Sequence, residues 1–317
     1  MKAYSQISLT ILAAALGSAL FVGALLIGAY YYVAPGLPNA AELRDIKIQV
    51  PLQIYSRDGR LIDEFGEMKR TPVVYGDVPP LLVKAVLATE DEHFFEHPGI
   101  DYRGIIRAAL SVLTGNDDVG GSTITQQVPR TLDVTKRAGL NSGFDRFVAK
   151  YKEWILAFRM EQEFTKEEIL ELYLNTSFFG QRSYGIATAA QTYFGKTLGE
   201  LTVAEIAVLA GIPQRPAEWN PVASTERARA RRSYVLRRMR ETAAISIEEE
   251  QAALDEPILG KEFGLQRQLE APYRAEMVRA EMVRRFGSAA TTAGLKVTTT
   301  IHSRLRGEAN SAIPATG

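Results

Sequence analysis

The 27 positions from Ile7 to Val33 carry no charged side chain. At ~1.5 Å rise per residue such a run exceeds the ~30 Å hydrocarbon core of a bilayer, which predicts one spanning helix. It is longer than the apolar part of a cleavable leader, and no small-residue cleavage site closes it, so a retained anchor is expected. Lys2 lies before the run and Tyr30, Tyr31 and Tyr32 sit at its far end, like an interfacial aromatic belt. Residues 1–6 thus read as a short cytoplasmic tail, residues 7–33 as the span, and the rest as lying outside the cytoplasm.

Pro35, Pro38 and Pro51 punctuate the exit, and Gln53 to Ile62 reads as two short strands around the Asp58-Gly59 turn. Residues 34–75 form a strand-containing linker on this reading. Beyond Pro79 the period changes: Leu82, Val83, Val86 and Leu87 make a helical stripe that ends at Glu90, Asp91 and Glu92. Capping boxes at Thr165/Glu168, Thr202/Glu205 and Ser246/Glu249 open further helices. Along 147–163, Tyr151, Trp154, Ile155 and Phe158 mark a packed side, while Arg146, Lys150 and Glu153 recur on one other face. Pro213, Pro216 and Pro221 impose an irregular stretch before a helix containing Arg227, Arg229, Arg231, Arg232, Arg237, Arg238 and Arg240. Gly294 to Ile301 reads as a strand. The fold class is mainly α.

Composition narrows little. Lys plus Arg and Asp plus Glu both number 37, so net charge does not point to a polyanionic partner. Cysteine is absent, which removes disulfides and thiolate metal sites.

The acidic cluster has two readings, a solvated turn or a sheltered carboxylate able to accept a proton. His93 and His97 stand four apart beside it, but the Pro98-Gly99 break disfavours a regular metal-binding face; a hydrogen-bonded His97 holding the turn is preferred. Gly120 and Gly121 precede Ser122, Thr123, Thr125, Gln126 and Gln127, a backbone able to approach a ligand closely followed by neutral donors and acceptors. The face of Arg146, Lys150 and Glu153 is either a salt-bridged solvent face or part of an anion site.

Taken in order, these segments resemble the motifs of the peptidoglycan glycosyltransferase domain of class A penicillin-binding proteins and monofunctional glycan polymerases. The first is Glu90-Asp91-Glu92-His93-Phe94-Phe95-Glu96-His97-Pro98-Gly99-Ile100-Asp101, and the second Gly120-Gly121-Ser122-Thr123-Ile124-Thr125-Gln126-Gln127. Lys150 and Glu153 match the third, whose arginine position is held here by Ala149; Arg146 lies one turn earlier on nearly the same face. Arg130 stands where the family usually has lysine. Glu168 to Asn175 with Phe179 to Ile186 match the fourth, and Leu209 to Pro216 closing at Asn220-Pro221 the fifth. The resemblance covers about Gln53 to Met239.

What the resemblance implies is a lysozyme-like, bilobed helical domain over residues 76–240, with a small apolar lobe starting near Tyr102 and including Ile105, Ile106, Leu110, Val112 and Leu113. It implies polymerisation of lipid II into glycan strands, with inversion and release of undecaprenyl pyrophosphate, at the outer face of the bacterial inner membrane. Glu90 is then the catalytic base and Glu153 a second catalytic carboxylate. Asp91, Ser122, Thr123, Gln126, Gln127, Arg130, Arg146, Lys150, Glu171 and Asn175 are the substrate-binding candidates. No cofactor is required, although Glu153 could orient a divalent cation such as Mg. The partners implied are lipid II, the growing glycan, the membrane and other wall-synthesis proteins, not nucleic acid, and the inhibitor implied is moenomycin. Two rivals remain: a catalytically weak scaffold, favoured by Ala149, and a glycan-cleaving enzyme with one buried Glu. Residues 241–317 read as a linker toward a C-terminal domain; no Ser-x-x-Lys, the acylation motif of a transpeptidase, occurs in these 317 residues.

Overall fold

The computed structural model describes residues 2–44, 49–66, 68–104, 121–132, 142–263, 269 and 271–304. The molecule is mainly helical, as the sequence predicts. Helix α1 (Lys2–Val33) and the 3-10 turn after it include a stretch, Leu16–Gly36, long and apolar enough to cross a membrane. Leu16, Leu20, Phe21, Leu25 and Ile27 project outward from it. A short helix α2 (Ala40–Arg44) follows.

The helical body comprises α3 (Pro80–Glu90), α4 (Ile124–Thr131), α5 (Gly143–Glu163), α6 (Lys166–Thr176), α7 (Ile186–Phe194), α8 (Val203–Gly211), α9 (Thr225–Glu241) and α10 (Ile247–Asp255). Helix α8 is the hub. Ala204, Ile206, Ala207, Val208, Leu209 and Ala210 are all buried, and the helix's one charged residue, Glu205, sits in the first turn and pairs with Lys196 at 2.7 Å. Against it pack α3, α7, α9 and α10, while α4, α5 and α6 pack on one another. The capping boxes at Thr165, Thr202 and Ser246 form as read, and Ser142 with Asp145 adds one that opens α5. Each satisfies backbone N–H groups that a first helical turn leaves without partners.

Sequence reading treated residues 34–75 and 241–317 as separate linkers, yet they meet. Strands β1 (Leu52–Tyr55) and β2 (Leu61–Phe65) form the expected hairpin. Strand β5 (Lys296–Thr298) pairs parallel to β1, giving the order β2-β1-β5. Helix α11 (Pro272–Phe286) covers this sheet, and Leu52, Ile54, Ile62, Leu269, Ala271 and Ala275 make a second apolar core. Strands β3 (Lys69–Arg70) and β4 (Ser183–Tyr184) tie the N-terminal segment to the body as a parallel pair.

Helix α5 corrects one expectation. Its buried residues are Ala149, Glu153, Ile155, Leu156, Ala157 and Met160, while Phe158 is exposed and Tyr151 and Trp154 are only partly covered. Of this stripe Ile155 packs inward, whereas the Tyr151 hydroxyl donates to the Leu26 carbonyl of α1 at 2.7 Å. Eight residues further on, Arg159 donates to the carbonyls of Ala34 (3.1 Å), Leu37 (3.1 Å) and Pro38 (2.8 Å). These bonds join α5 to the C-terminal part of α1 and to the segment that follows it. Apolar periodicity marks both faces alike, since covering by protein and covering by an apolar helix need the same residues. The apolar lobe expected at Ile105, Ile106, Leu110, Val112 and Leu113 lies outside the described residues.

Candidate active site

Glu90 is the last residue of α3, where the chain leaves the helix for an irregular turn. Its Oε2 accepts a hydrogen bond from Gln127 Nε2 at 3.0 Å, whereas Oε1 is buried without a protein partner. Burial drives its carboxyl above the ordinary carboxylate range. The Gln127 hydrogen bond opposes this, as do the positive charges of Arg231 and Arg130, while the negative charge of Asp91 adds to it.

Asp91, next in sequence, turns inward. It accepts from the Ile124 backbone N–H at 2.9 Å and meets His97 Nε2 at 2.9 Å. His97 Nδ1 accepts the Gly99 N–H at 3.2 Å, so the proton lies on Nε2 and is donated to Asp91. Both ring nitrogens of His97 are thereby engaged in holding the turn, and His93 instead lies beside Glu96 at 3.3 Å. Gly99 closes the turn at φ +88°; a Cβ there would stand 2.9 Å from Glu161 Cγ. Its carbonyl accepts from Thr123 Oγ1 at 2.6 Å and Gln126 Nε2 at 3.4 Å, stitching the acidic turn to α4. Thr123 caps α4, its hydroxyl accepting the Gln126 N–H at 3.2 Å.

Opposite lies a charged cluster. Glu153, fully buried on α5, accepts from Arg130 Nε and Nη2, each at 3.1 Å, and from Lys150 Nζ at 3.3 Å. Lys150 Nζ also donates to Ser122 Oγ at 2.7 Å and Gln126 Oε1 at 2.8 Å. The structure thus brings Glu90, Gln127, Arg130, Ser122, Gln126, Lys150 and Glu153 into one linked constellation. A divalent cation does not fit at Glu153, because both of its oxygens already face cations.

Three candidates stand apart. Arg146 is exposed on the first turns of α5, outside the network around Glu153, and Ala149 is buried. Asn175 is buried with its amide directed at its own chain: Oδ1 accepts the Val73 N–H at 2.8 Å and Nδ2 donates to the Val73 carbonyl at 2.7 Å. Glu171 accepts the Tyr75 N–H at 2.7 Å. These two side chains pin residues 73–75 to α6, because an amide or carboxylate pairs with backbone as readily as with a sugar.

One residue of the site escaped sequence reading. Tyr173 is buried on α6, with Ser177 the side chain beside its hydroxyl. Its phenol is pushed well above the usual range by burial first and then by the negative charge of Glu90. Only its place inside the fourth motif pointed to it.

The sequence profile of the family described as Transglycosylase matches residues 58–240. Penicillin-binding protein 1A of Pseudomonas aeruginosa is 43% identical over 287 residues, 90% of this chain and 34% of that protein. The homologue from Vibrio cholerae is 46% identical, also over 90% of this chain and 34% of its own length. That of Escherichia coli is 44% identical over 90% and 33%. The chain spans about a third of the length of these curated relatives. The ordered motifs, the constellation they assemble and a profile match over more than half of the sequence agree: the chain belongs to the transglycosylase family, the glycosyltransferase domain of class A penicillin-binding proteins.

Proposed function

We propose that this chain polymerises lipid II into glycan strands at the outer face of the inner membrane. The observation that carries the reading is a partly buried carboxylate, Glu90, with its Oε1 fully buried, linked through Gln127 and α4 to the cations Arg130 and Lys150. Glycosyl transfer from a pyrophosphate needs two things. A base must take the proton of the attacking hydroxyl, and positive charge must receive the departing oxygens.

In this reading Glu90 removes the proton from the 4-hydroxyl of the acceptor sugar. That oxygen then bonds to the anomeric carbon of the growing chain with inversion, and the bond to undecaprenyl pyrophosphate breaks. Arg130 and Lys150 hold the pyrophosphate oxygens, and Glu153 keeps both cations in place without their having to reorganise. Helix α1 confines the domain to the layer that holds its lipid-tailed substrates, which raises their effective concentration.

Incubating the purified chain with labelled lipid II tests this directly. Polymer that moenomycin suppresses is the expected product. Absence of polymer from folded protein favours a scaffold, and fragments released from finished glycan favour cleavage.

A further inference from the structure

We propose that Glu161 and Lys166 are a positioning pair for Glu90: bonded to each other at 2.8 Å, they grip the acidic turn and helix α4 at points away from the reacting carboxylate and so hold Glu90 against Gln127. The inference rests on Glu90 being the base.

Each residue carries the wrong sign of charge for its own helix. Glu161 stands in the last turn of α5 and Lys166 at the first position of α6, so an anion faces the negative end of one helix dipole and a cation the positive end of the next. Glu167 and Glu168, beside Lys166, are the acids that a first turn favours. Helix chemistry therefore explains neither Glu161 nor Lys166; their contacts do.

Both side chains are mostly covered, 11% of Glu161 and 19% of Lys166 being exposed. Lys166 Nζ donates to the His97 carbonyl at 2.7 Å and stands 4.5 Å from the centre of the buried Phe94 ring. The stem of Glu161 backs Gly99, where a Cβ would lie 2.9 Å from Glu161 Cγ. Its Oε1 accepts from the Thr125 hydroxyl at 2.6 Å. One ion pair thus meets the turn at Phe94, His97 and Gly99, and α4 at Thr125.

Thr125 and Gln127 are two residues apart on α4, hence on nearly opposite sides of it. Helix α4 is held on one side by Glu161, through Thr125, and on the other meets Glu90 through Gln127 at 3.0 Å. Bonds from Ile124 to Asp91 and from Thr123 to Gly99 knit turn and helix together, and the ion pair fixes the knitted unit to α5 and α6. Bonds from Arg130 to Glu153 and from Lys150 to Ser122 and Gln126 hold the cation side separately. Loosening the ion pair therefore moves the base and leaves the cations in place. A base acts only within hydrogen-bond reach of its proton, and a displacement of about 1 Å can cost 10²-fold.

The test measures kcat and KM for lipid II polymerisation by the full chain in detergent, for wild type, Lys166→Met, Lys166→Arg, Thr125→Val and Glu90→Gln, with Lys166→Met and Thr125→Val also placed in Glu90→Gln. Circular dichroism fixes the folded fraction, so kcat is expressed per folded molecule. Lys166→Met should lower kcat about 10- to 100-fold with KM within about twofold of wild type. Lys166→Arg keeps the charge and the donors and should recover most of the loss. In the Glu90→Gln background Lys166→Met should change the residual rate by less than about twofold, since no base is left to position. A wild-type kcat per folded molecule would make the pair merely structural, and an equal loss in the Glu90→Gln background would mean that it acts on something other than Glu90; either result overturns the proposal. If Lys166→Met does not fold, Thr125→Val, which keeps the shape and removes only the hydroxyl that Glu161 holds, is read by the same two criteria. Wild-type kcat in Glu90→Gln alone would remove Glu90 as base and the proposal with it, a result distinct from both.

Discussion

Glu153 of α5 meets Arg130 of α4 in a two-point fork, both nitrogen–oxygen distances being 3.1 Å, with the carboxylate fully buried. Lys150 completes the neutralisation from one turn earlier on α5. Either cation alone still pairs Glu153, so Arg130→Ala or Lys150→Ala should cost about 1.5–3 kcal/mol of stability. The double variant removes both of these cations from a buried carboxylate and should cost about 3–5 kcal/mol or more. Urea titrations of the four proteins give the coupling; strict additivity would show that Glu153 finds another partner.

Glu90→Gln should lower polymerisation by about 10²- to 10⁴-fold, the usual weight of a general base. It should also stabilise the protein at neutral pH. Burial raises the Glu90 carboxyl in the folded state, so the folded chain binds its proton more readily than the unfolded one. The group's favourable contribution is then present below the ordinary carboxylate range and lost as pH rises through the raised folded value. Melting temperatures of wild type and variant should converge on acidification below about pH 4 and diverge toward pH 7. A constant difference across that range would contradict a raised carboxyl.

Asn175→Ala strips both partners from the Val73 peptide group, inside the segment that α6 holds. A loss of about 1–3 kcal/mol is expected from the unsatisfied buried groups. In protein kept below its transition, the KM for lipid II should stay unchanged. A raised KM with unaltered stability would return Asn175 to the substrate site.

Arg146 and Lys150 sit one turn apart but differ in burial. An exposed cation is screened, so Arg146→Ala should reduce turnover by no more than about fivefold, equivalent to roughly 1 kcal/mol. Lys150→Ala should cost about 10²- to 10³-fold, as for a preorganised donor at developing charge. Equal losses would mean that Arg146 supplies the guanidinium missing at Ala149.

Local chemistry settled much in advance. The capping boxes at Thr165, Thr202 and Ser246 were readable because each is made by residues three apart, as was the hairpin turning at Asp58-Gly59. The apolar run of α1 follows from composition alone. The acidic turn, the Ser122–Gln127 segment and the Lys150/Glu153 pair were legible as motifs because close chain neighbours form each. Tertiary structure decided which residues meet across long separations: that β5 joins β1, that Asn175 meets Val73, and that Tyr151 of α5 reaches Leu26 of α1. Helical periodicity tells which residues share a face but not what that face meets, so among the arginines of α9 only packing shows that Arg232 is buried against the Leu254 and Glu256 carbonyls while Arg238 reaches Glu92.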